Sequence, residues 1–417
     1  MARGGPLIDA ANALTVRWAA AVCSPAQSTV LSGAGVWPLL GLLAAGAAGP
    51  GERELRQAIG VTSGDPIDAA ESLLEEMASA PAVQSALGLW TARGLRLNPQ
   101  WAGRLPAGTR GELTGDPGRD QELLNAWARE RTDGLIPAMP VEVDAATRLV
   151  LAGALAIRTT WDEPFSEFPT PLTDGPWGGR WIVALSRTVR TMHDLQVADT
   201  PGGPLTMLRV TGSGDLDVHL LLGGPARMPG DVLAAGVAAL AGRCSLTGGD
   251  ALPEGEPAPG VVVRTMESAV LGDVMNQMVP RFTVTSSHDL LATPQVFGLQ
   301  SVMDTARGHF PGISAEPLAI DQARQNVRAS FQARGFEAAA VTAFAATVGS
   351  APPVATVKVK YVQVCFDRPF AFLAVHRTSG LILVAGWVAE ADEAAVPGLP
   401  SPRPARPGRP FGRWGGS

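Results

Sequence analysis

Lysine is almost missing from this chain. Lys358 and Lys360 are the only two, and arginine carries the remaining positive charge. The phosphate-gripping lysine of a GxxxxGK[ST] loop therefore has no candidate. The S-x-x-K nucleophile of penicillin-recognising enzymes is excluded as well, because Ala355 and Val357 stand three residues before the two lysines. Cysteine is scarce. Cys23, Cys244 and Cys365 form no CxxC pair and are odd in number, which argues against a disulfide framework or a zinc ribbon and predicts three buried free thiols. The five histidines, His193, His219, His288, His309 and His376, never fall at HxxxH or HxH spacing, so no metal pair is visible. Asp215 and Asp217 share one face of an expected strand; they could hold a cation, but a solvated edge is the plainer reading. No GxGxxG follows a strand, and no G-x-S-x-G elbow occurs. No apolar run reaches the ~18 residues of a membrane span. A net charge of −6 leaves no basic field to draw in nucleic acid.

What is present is the composition of a folded chain. Hydrophobic residues make up 46% of the 417, too many for a disordered polymer. The length alone suggests about two or three domains. Leu7, Ala11, Leu14, Trp18 and Val22 recur every three or four residues, which predicts an amphipathic helix rather than a signal peptide. No classical export is inferred, so a cytoplasmic location is the default and an extracellular one the alternative. Residues 28–47 suit a buried helix entered from a short strand, and residues 123–134 a helix stopped by Gly134. The run 148–157 reads as a strand buried on both faces in the middle of a large sheet. Strands are expected at 86–97, 215–223 and 281–287, a loop at 246–260, and a buried hairpin from 369–375 and 380–388. After residue 392 the chain turns to proline, glycine and arginine, which predicts a disordered tail over 393–417. Strands and helices intermingle without βαβ alternation, so the class is α+β.

The most informative stretch runs from Phe331 to Phe370. Gly335 opens a series of small, nearly uncharged residues that leads into Thr347–Pro353, which reads as an exposed loop. As a strand, the same series would place Phe336, Ala338, Ala340, Thr342 and Phe344 on one face and Glu337, Ala339, Val341 and Ala343 on the other. Glu337, the only charge, could stay in water. A segment compatible with both loop and buried strand can act as a switch. An alanine-rich surface helix is the competing reading.

Several motifs in order carry a resemblance. Gly335-Phe336-Glu337-Ala338-Ala339-Ala340-Val341-Thr342 is similar to a hinge G-[TS]-E-A-A-A-A-T. Phe366-Asp367-Arg368-Pro369-Phe370 is similar to F-x-[AV]-[DN]-[RH]-P-F, and Gly380–Gly386 to G-L-I-L-F-x-G. Arg148–Leu151 through Trp161–Phe165 follows R-L-V-L…W-x-x-P-F, and Asn125-Ala126-Trp127 with Thr132-Asp133-Gly134 follows I-N-x-W…T-x-G. From about residue 5 to 390 the chain thus resembles the serpins, the serine protease inhibitor superfamily, in a bacterial-type form.

The resemblance implies a single domain over 1–392 with three β-sheets, one of them large and central, about eight or nine helices, and an exposed reactive-centre loop. It also implies a function: a serine protease cuts the loop, and the freed arm enters the central sheet before the acyl-enzyme hydrolyses, trapping the protease. No cofactor or metal is needed, and the chain is expected to be a monomer and not an enzyme. Counting about fourteen residues from Gly335, the spacing the resemblance implies, puts the scissile bond at Gly349–Ser350, within a window from Ala346 to Ala351; the side-chain period fixes faces only. Small or apolar residues there suit elastase-, subtilisin- or chymotrypsin-like targets, whereas a trypsin-like target would need a cut after Lys358 or Lys360. The implied sheet-opening region comprises Ser32, Gly153, Trp161, Arg281 and Gln325. Departures are evident. Phe336 replaces the small or β-branched residue of inhibitory members. Ala333 removes the usual glutamate partner of Arg281. Gly33, Gly35, Gly153 and Gln325 replace the usual Pro, Ser, Asn and His. These departures support the alternative of a non-inhibitory carrier or interaction protein that is cleaved as a substrate.

Overall fold

The computed structural model describes residues 5–105, 110–134, 136–139, 141–144, 147–173, 175–268, 271–320, 322–336 and 357–395. In chain order the first elements are α1 (Pro6–Val22), β1 (Thr29–Leu31), α2 (Gly33–Gly46), α3 (Gly49–Ile59), α4 (Pro66–Ser79), β2 (Val83–Ala92), α5 (Pro99–Ala102), β3 (Arg110–Leu113) and α6 (Pro117–Arg131). The middle of the chain supplies β4 (Leu149–Ile157), β5 (Thr159–Thr160), β6 (Ser166–Pro171), β7 (Trp181–Val189), β8 (Leu195–Ala198), β9 (Leu205–Thr211), β10 (Leu216–Leu222) and α7 (Pro229–Leu240). Then come β11 (Leu246–Gly248), β12 (Gly255–Ala258), β13 (Val261–Ser268), β14 (Val274–Pro280), β15 (Phe282–Asp289), α8 (Pro294–Phe297) and β16 (Arg324–Phe331). The last are β17 (Gly335–Phe336), β18 (Val357–Cys365), β19 (Phe370–His376) and β20 (Ile382–Val388).

The helical periodicity near the N-terminus is realised in α1, which buries Ile8, Ala11, Leu14 and Trp18 on one side. Ser32 caps α2 by accepting a hydrogen bond from the Gly35 amide, and nearly every residue of that helix is buried. Asp116 caps α6 in the same way. The helix therefore starts earlier than its apolar spacing suggests, and it ends before Asp133 and Gly134, both at positive φ. None of the described helices is long and apolar enough to cross a membrane.

Four hydrogen-bonded ladders form among the described residues: β1-β20-β19-β10-β9-β8-β11, β12-β13-β18-β14-β7-β6, β15-β16-β17-β5 and β3-β2-β4. The expected hairpin is β19–β20, and both strands are buried along their whole length in the seven-stranded sheet. Three sheets were expected. Four ladders arise because the expected central sheet is parted into two halves between β4 and β16. The 148–157 strand thus lies on the border of a three-stranded half, not inside one continuous sheet. The stretch 246–260 is not simply a loop: Leu246–Gly248 extends the edge at β8, and Gly255–Ala258 pairs with β13.

Asp215 and Asp217 do not form a solvated strand edge. Asp215 sits in a turn at φ 61°, 2.9 Å from His376 Nε2, and the buried Asp217 lies 2.8 Å from Arg377 Nη2. The three cysteines are free and half-buried, and burial pushes the Cys23 and Cys365 thiols up to about 12. Next to the expected boundary at 392, Ala394 N donates to Trp181 O, and residues 396–417 lie outside the described ones.

Candidate functional site

The border between the two half-sheets is the distinctive feature of the molecule. β4 pairs with β2 on one side, and β16 pairs with β15. Among the described residues, strand pairing joins the halves at one end only, where Phe331 of β16 pairs with Phe336 and Gly335–Phe336 pairs with Thr160 and Thr159 of β5; at the other end Gln322 Nε2 donates to Glu142 O and Arg148 pairs with Glu316. Below that junction a small cavity of ≈ 60 Å³ touches Ser32, Gly35, Gly153, Gln325 and Phe336. A larger one of ≈ 380 Å³ follows, floored by Leu39, Leu40 and Leu43 of α2 and walled by Phe310, Leu318 and Ile320. Backbone N–H and C=O groups on an unpaired strand edge favour another strand, because such groups must be satisfied once buried. The slot is therefore shaped for an extended chain.

Side-chain chemistry explains why the junction holds. A Cβ on Gly335 would stand 2.2 Å from the Thr159 carbonyl oxygen, so only glycine permits this approach to β5. Phe336 is 3% exposed, with its ring 6.1 Å from that of Phe372 in the seven-stranded sheet. Phe331 stacks on Phe282 at 5.5 Å and lies 4.8 Å from the Trp161 ring. Trp161 Nε1 donates to Gln332 O at 2.8 Å, and its amide donates to Arg334 O. Trp161 thus fixes the turn between β16 and β17 from two directions. Phe336, which departs from the small or β-branched residue the resemblance implies, already occupies the top of the slot on an aromatic bed.

The polar cluster behind the slot links β16 to α2 rather than to β4. Gln325 Nε2 donates to Ser32 O at 3.0 Å, and its Oε1 accepts from Ser32 N at 3.0 Å. Ser32 Oγ donates to Leu383 O at 2.6 Å. Gly153, with no side chain, offers no hydrogen bond across the slot. Its backbone instead packs on α2, where an added Cβ would be 3.0 Å from Gly35 O. Sequence reasoning missed two residues here. Ser286 Oγ accepts from Val30 N at 3.0 Å, and His288 Nε2 lies 2.8 Å from Val30 O, tying β15 to β1. Burial holds the His288 imidazole below its ordinary value, against the opposing effect of the Val30 carbonyl. Neither residue belongs to a recognisable motif, and alternation along β15 was the only available signal.

Arg281 keeps two partners despite Ala333. Its Nη1 meets Glu167 Oε1 and its Nε meets Asp392 Oδ2, each at 2.9 Å. It therefore fastens the C-terminal segment to β6 instead of to the hinge. Lys358 and Lys360 lie inside β18, in the stretch paired with β13; pairing with β14 on the other edge begins at Tyr361. Lys360 Nζ donates to the carbonyls of Gly249, Asp250 and Leu252. Glu337, Ala338, Ala339, Ala340, Val341 and Thr342 of the expected hinge, and the expected scissile pair Gly349–Ser350, lie outside the described residues. The site residues that are described do converge: Ser32, Gly153 and Gln325 surround the middle of the slot, and Gly335, Phe336 and Trp161 its top. Arg281 stands apart, beside the C-terminal segment. Among the described residues no group of three or more His, Cys, Asp or Glu is placed to hold a metal.

Comparison with known proteins bears on this geometry. A family model described as Serpin (serine protease inhibitor) matches residues 9–174 and 262–391. Serpin-Z2A of Oryza sativa subsp. japonica is 26% identical over 414 residues, spanning 87% of this chain and 91% of its own. Plasminogen activator inhibitor 2 of Homo sapiens is 24% identical across 64% of this chain and 59% of its own. Among solved structures, one titled Cleaved Serpin 42Da superposes with a TM-score of 0.68 at 16% identity, covering 93% of this chain and 98% of that one. The plant and human relatives lend no support to the bacterial-type expectation.

Proposed function

The chain belongs to the serpin family, and from that premise we propose that it is a suicide-substrate inhibitor of serine proteases rather than an enzyme. The target protease's serine attacks the carbonyl of residue 349 or a near neighbour. The peptide bond breaks, an ester to the protease forms, and the new amine leaves with a proton. The freed arm, beginning at Phe336, then enters the slot and satisfies the facing edges of β4 and β16. The protease is carried along on its ester before water can release it.

The observation that carries this reading is the parted sheet: two strand edges facing each other, fastened at the top by Gly335 and Phe336. One departure that favoured a non-inhibitory role loses force: Phe336 is accommodated between Phe331 and Thr159 at the top of the slot. A small or apolar cleavage residue, and therefore an elastase-, subtilisin- or chymotrypsin-like target, agrees with the placement of Lys358 and Lys360 inside β18, where both are paired with β13. The test is incubation with each protease followed by a denaturing gel. A covalent band of summed mass, with loss of protease activity, is expected. A clipped chain alongside fully active protease would establish the carrier or interaction role instead.

A further inference from the structure

The fold treats the two lysines of the chain very differently. Both lie near the start of β18, two residues apart and so on one side of the strand. Lys358 is exposed, opposite Glu267 of β13. Lys360 is half-buried, and its ammonium is fully engaged. Nζ donates to the carbonyls of Gly249 at 3.1 Å, Asp250 at 2.6 Å and Leu252 at 2.8 Å. An ammonium has three donors and no acceptor, so three carbonyls saturate it. The flat guanidinium fork of an arginine cannot converge on three oxygens around one point. Arginine supplies nearly every other positive charge, and the cage holds a lysine.

The cage is anchored on both sides. Gly249 is buried, and a Cβ on it would lie 2.8 Å from Met192 O, so the turn is seated against the segment before β8. β11, immediately before that turn, pairs with β8 in the seven-stranded sheet. Lys360 therefore ties β18 of one sheet to the edge of another. Its backbone is held too: Lys360 N donates to Asp273 Oδ1 at 2.8 Å, one residue before β14 begins.

A protease takes its substrate as an extended strand along its own cleft, with the side chain before the cut bond in a pocket. A cut after Lys358 requires the start of β18 to leave β13. The pairs Val357–Ser268, Lys358–Glu267 and Val359–Met266 form the end of that ladder, where opening begins. The next pair is Lys360–Thr265, and there opening meets three charge-assisted hydrogen bonds and the Asp273 contact. A cut after Lys360 is blocked more directly, because the side chain that would fill the pocket is already bound.

We propose that Lys360 is a specificity-determining residue: its carbonyl cage withholds both lysines from trypsin-like proteases and leaves the segment before β18 to proteases of small or apolar preference. This rests on the reading that the chain between Phe336 and Val357 is the cut one. The experiment digests the full chain with trypsin in native buffer and maps the cuts by mass, for the wild type, Lys360→Arg and Lys360→Met. A synthetic peptide of residues 354–362 shows how fast trypsin cuts this sequence when it is free. In the wild type the bonds after Lys358 and Lys360 are expected to survive long after the peptide is consumed. Both variants should be cut after Lys358 about 10-fold faster or more than the wild type, the arginine variant because its fork does not fit the cage. Wild-type cutting at the peptide's rate would overturn the proposal, and so would variants as resistant as the wild type. Variant cuts spread to Arg187 in β7 and Arg209 in β9 would mean a lost fold rather than a released strand, and would overturn it as well. The inhibitory reading fails separately, if proteases of apolar preference form no covalent band with the wild type.

Discussion

At the scale of single residues, Gly335 has the least freedom to change. Alanine there would place a Cβ 2.2 Å from the Thr159 carbonyl, which backbone movement alone can relieve. Gly335→Ala is expected to cost about 1–3 kcal/mol in the uncut chain, read from urea unfolding, because β17 must leave β5. His219 gives a second prediction. Burial, with the Arg209 charge adding to it, pushes its imidazole down to about 4 from an ordinary value of 6.5. Between those pH values the unfolded chain holds the extra proton and the folded chain does not, so stability falls as the pH drops through that window. The loss from this group reaches about 3 kcal/mol by the acid end. His219→Gln should flatten that part of the pH–stability curve; an unchanged slope would contradict it. Neither effect could be foreseen from the sequence. Gly335 was legible as a hinge glycine by motif, but the atom it makes room for is more than 170 positions away. His219 was one of five unpatterned histidines, and its burial comes from β9 and β19 on either side.

At the scale of elements, the readable parts were those whose pattern is local. α1, α2, β4, β10 and the β19–β20 hairpin all announce themselves by apolar spacing. β11 and β12 did not, because Gly, Pro and Glu there look like turn residues and the partners that make them strands are remote. The parted sheet was hidden for a related reason. The apolar run of β4 correctly signalled burial, but an apolar run does not reveal whether both neighbours are in place. Two measurements belong here. Hydrogen exchange should find the slot-facing amides of β4 and β16 fast in the uncut chain and protected after nicking; equal protection in both states would refute strand entry. Ser32→Ala removes both the cap of α2 and the bond to Leu383, which joins that helix to β20. A cost of about 1–2 kcal/mol is expected in equilibrium unfolding, with no change in where the loop is cut.

At the scale of the whole molecule, the uncut chain holds a sheet whose halves are strand-paired at one end and, among the described residues, unpaired below it. Joining the halves through a new strand should raise the melting midpoint by several degrees or more, since each 1 kcal/mol is worth about 2–4 °C in a domain of 150–250 residues and less in a larger one. Calorimetry on the nicked and intact chains checks this. The placement of β18 bears on what happens to the far piece after such a cut. β13 and β14 grip β18 along both edges, and the residues after it run on as β19 and β20 through the interior of the seven-stranded sheet. Severing the backbone anywhere between Phe336 and Val357 therefore sets nothing loose. The two fragments remain interwoven as one particle that elutes as a single species in native buffer and separates only in denaturant, so that its wholeness depends on how the ribbons are threaded and no longer on an unbroken backbone.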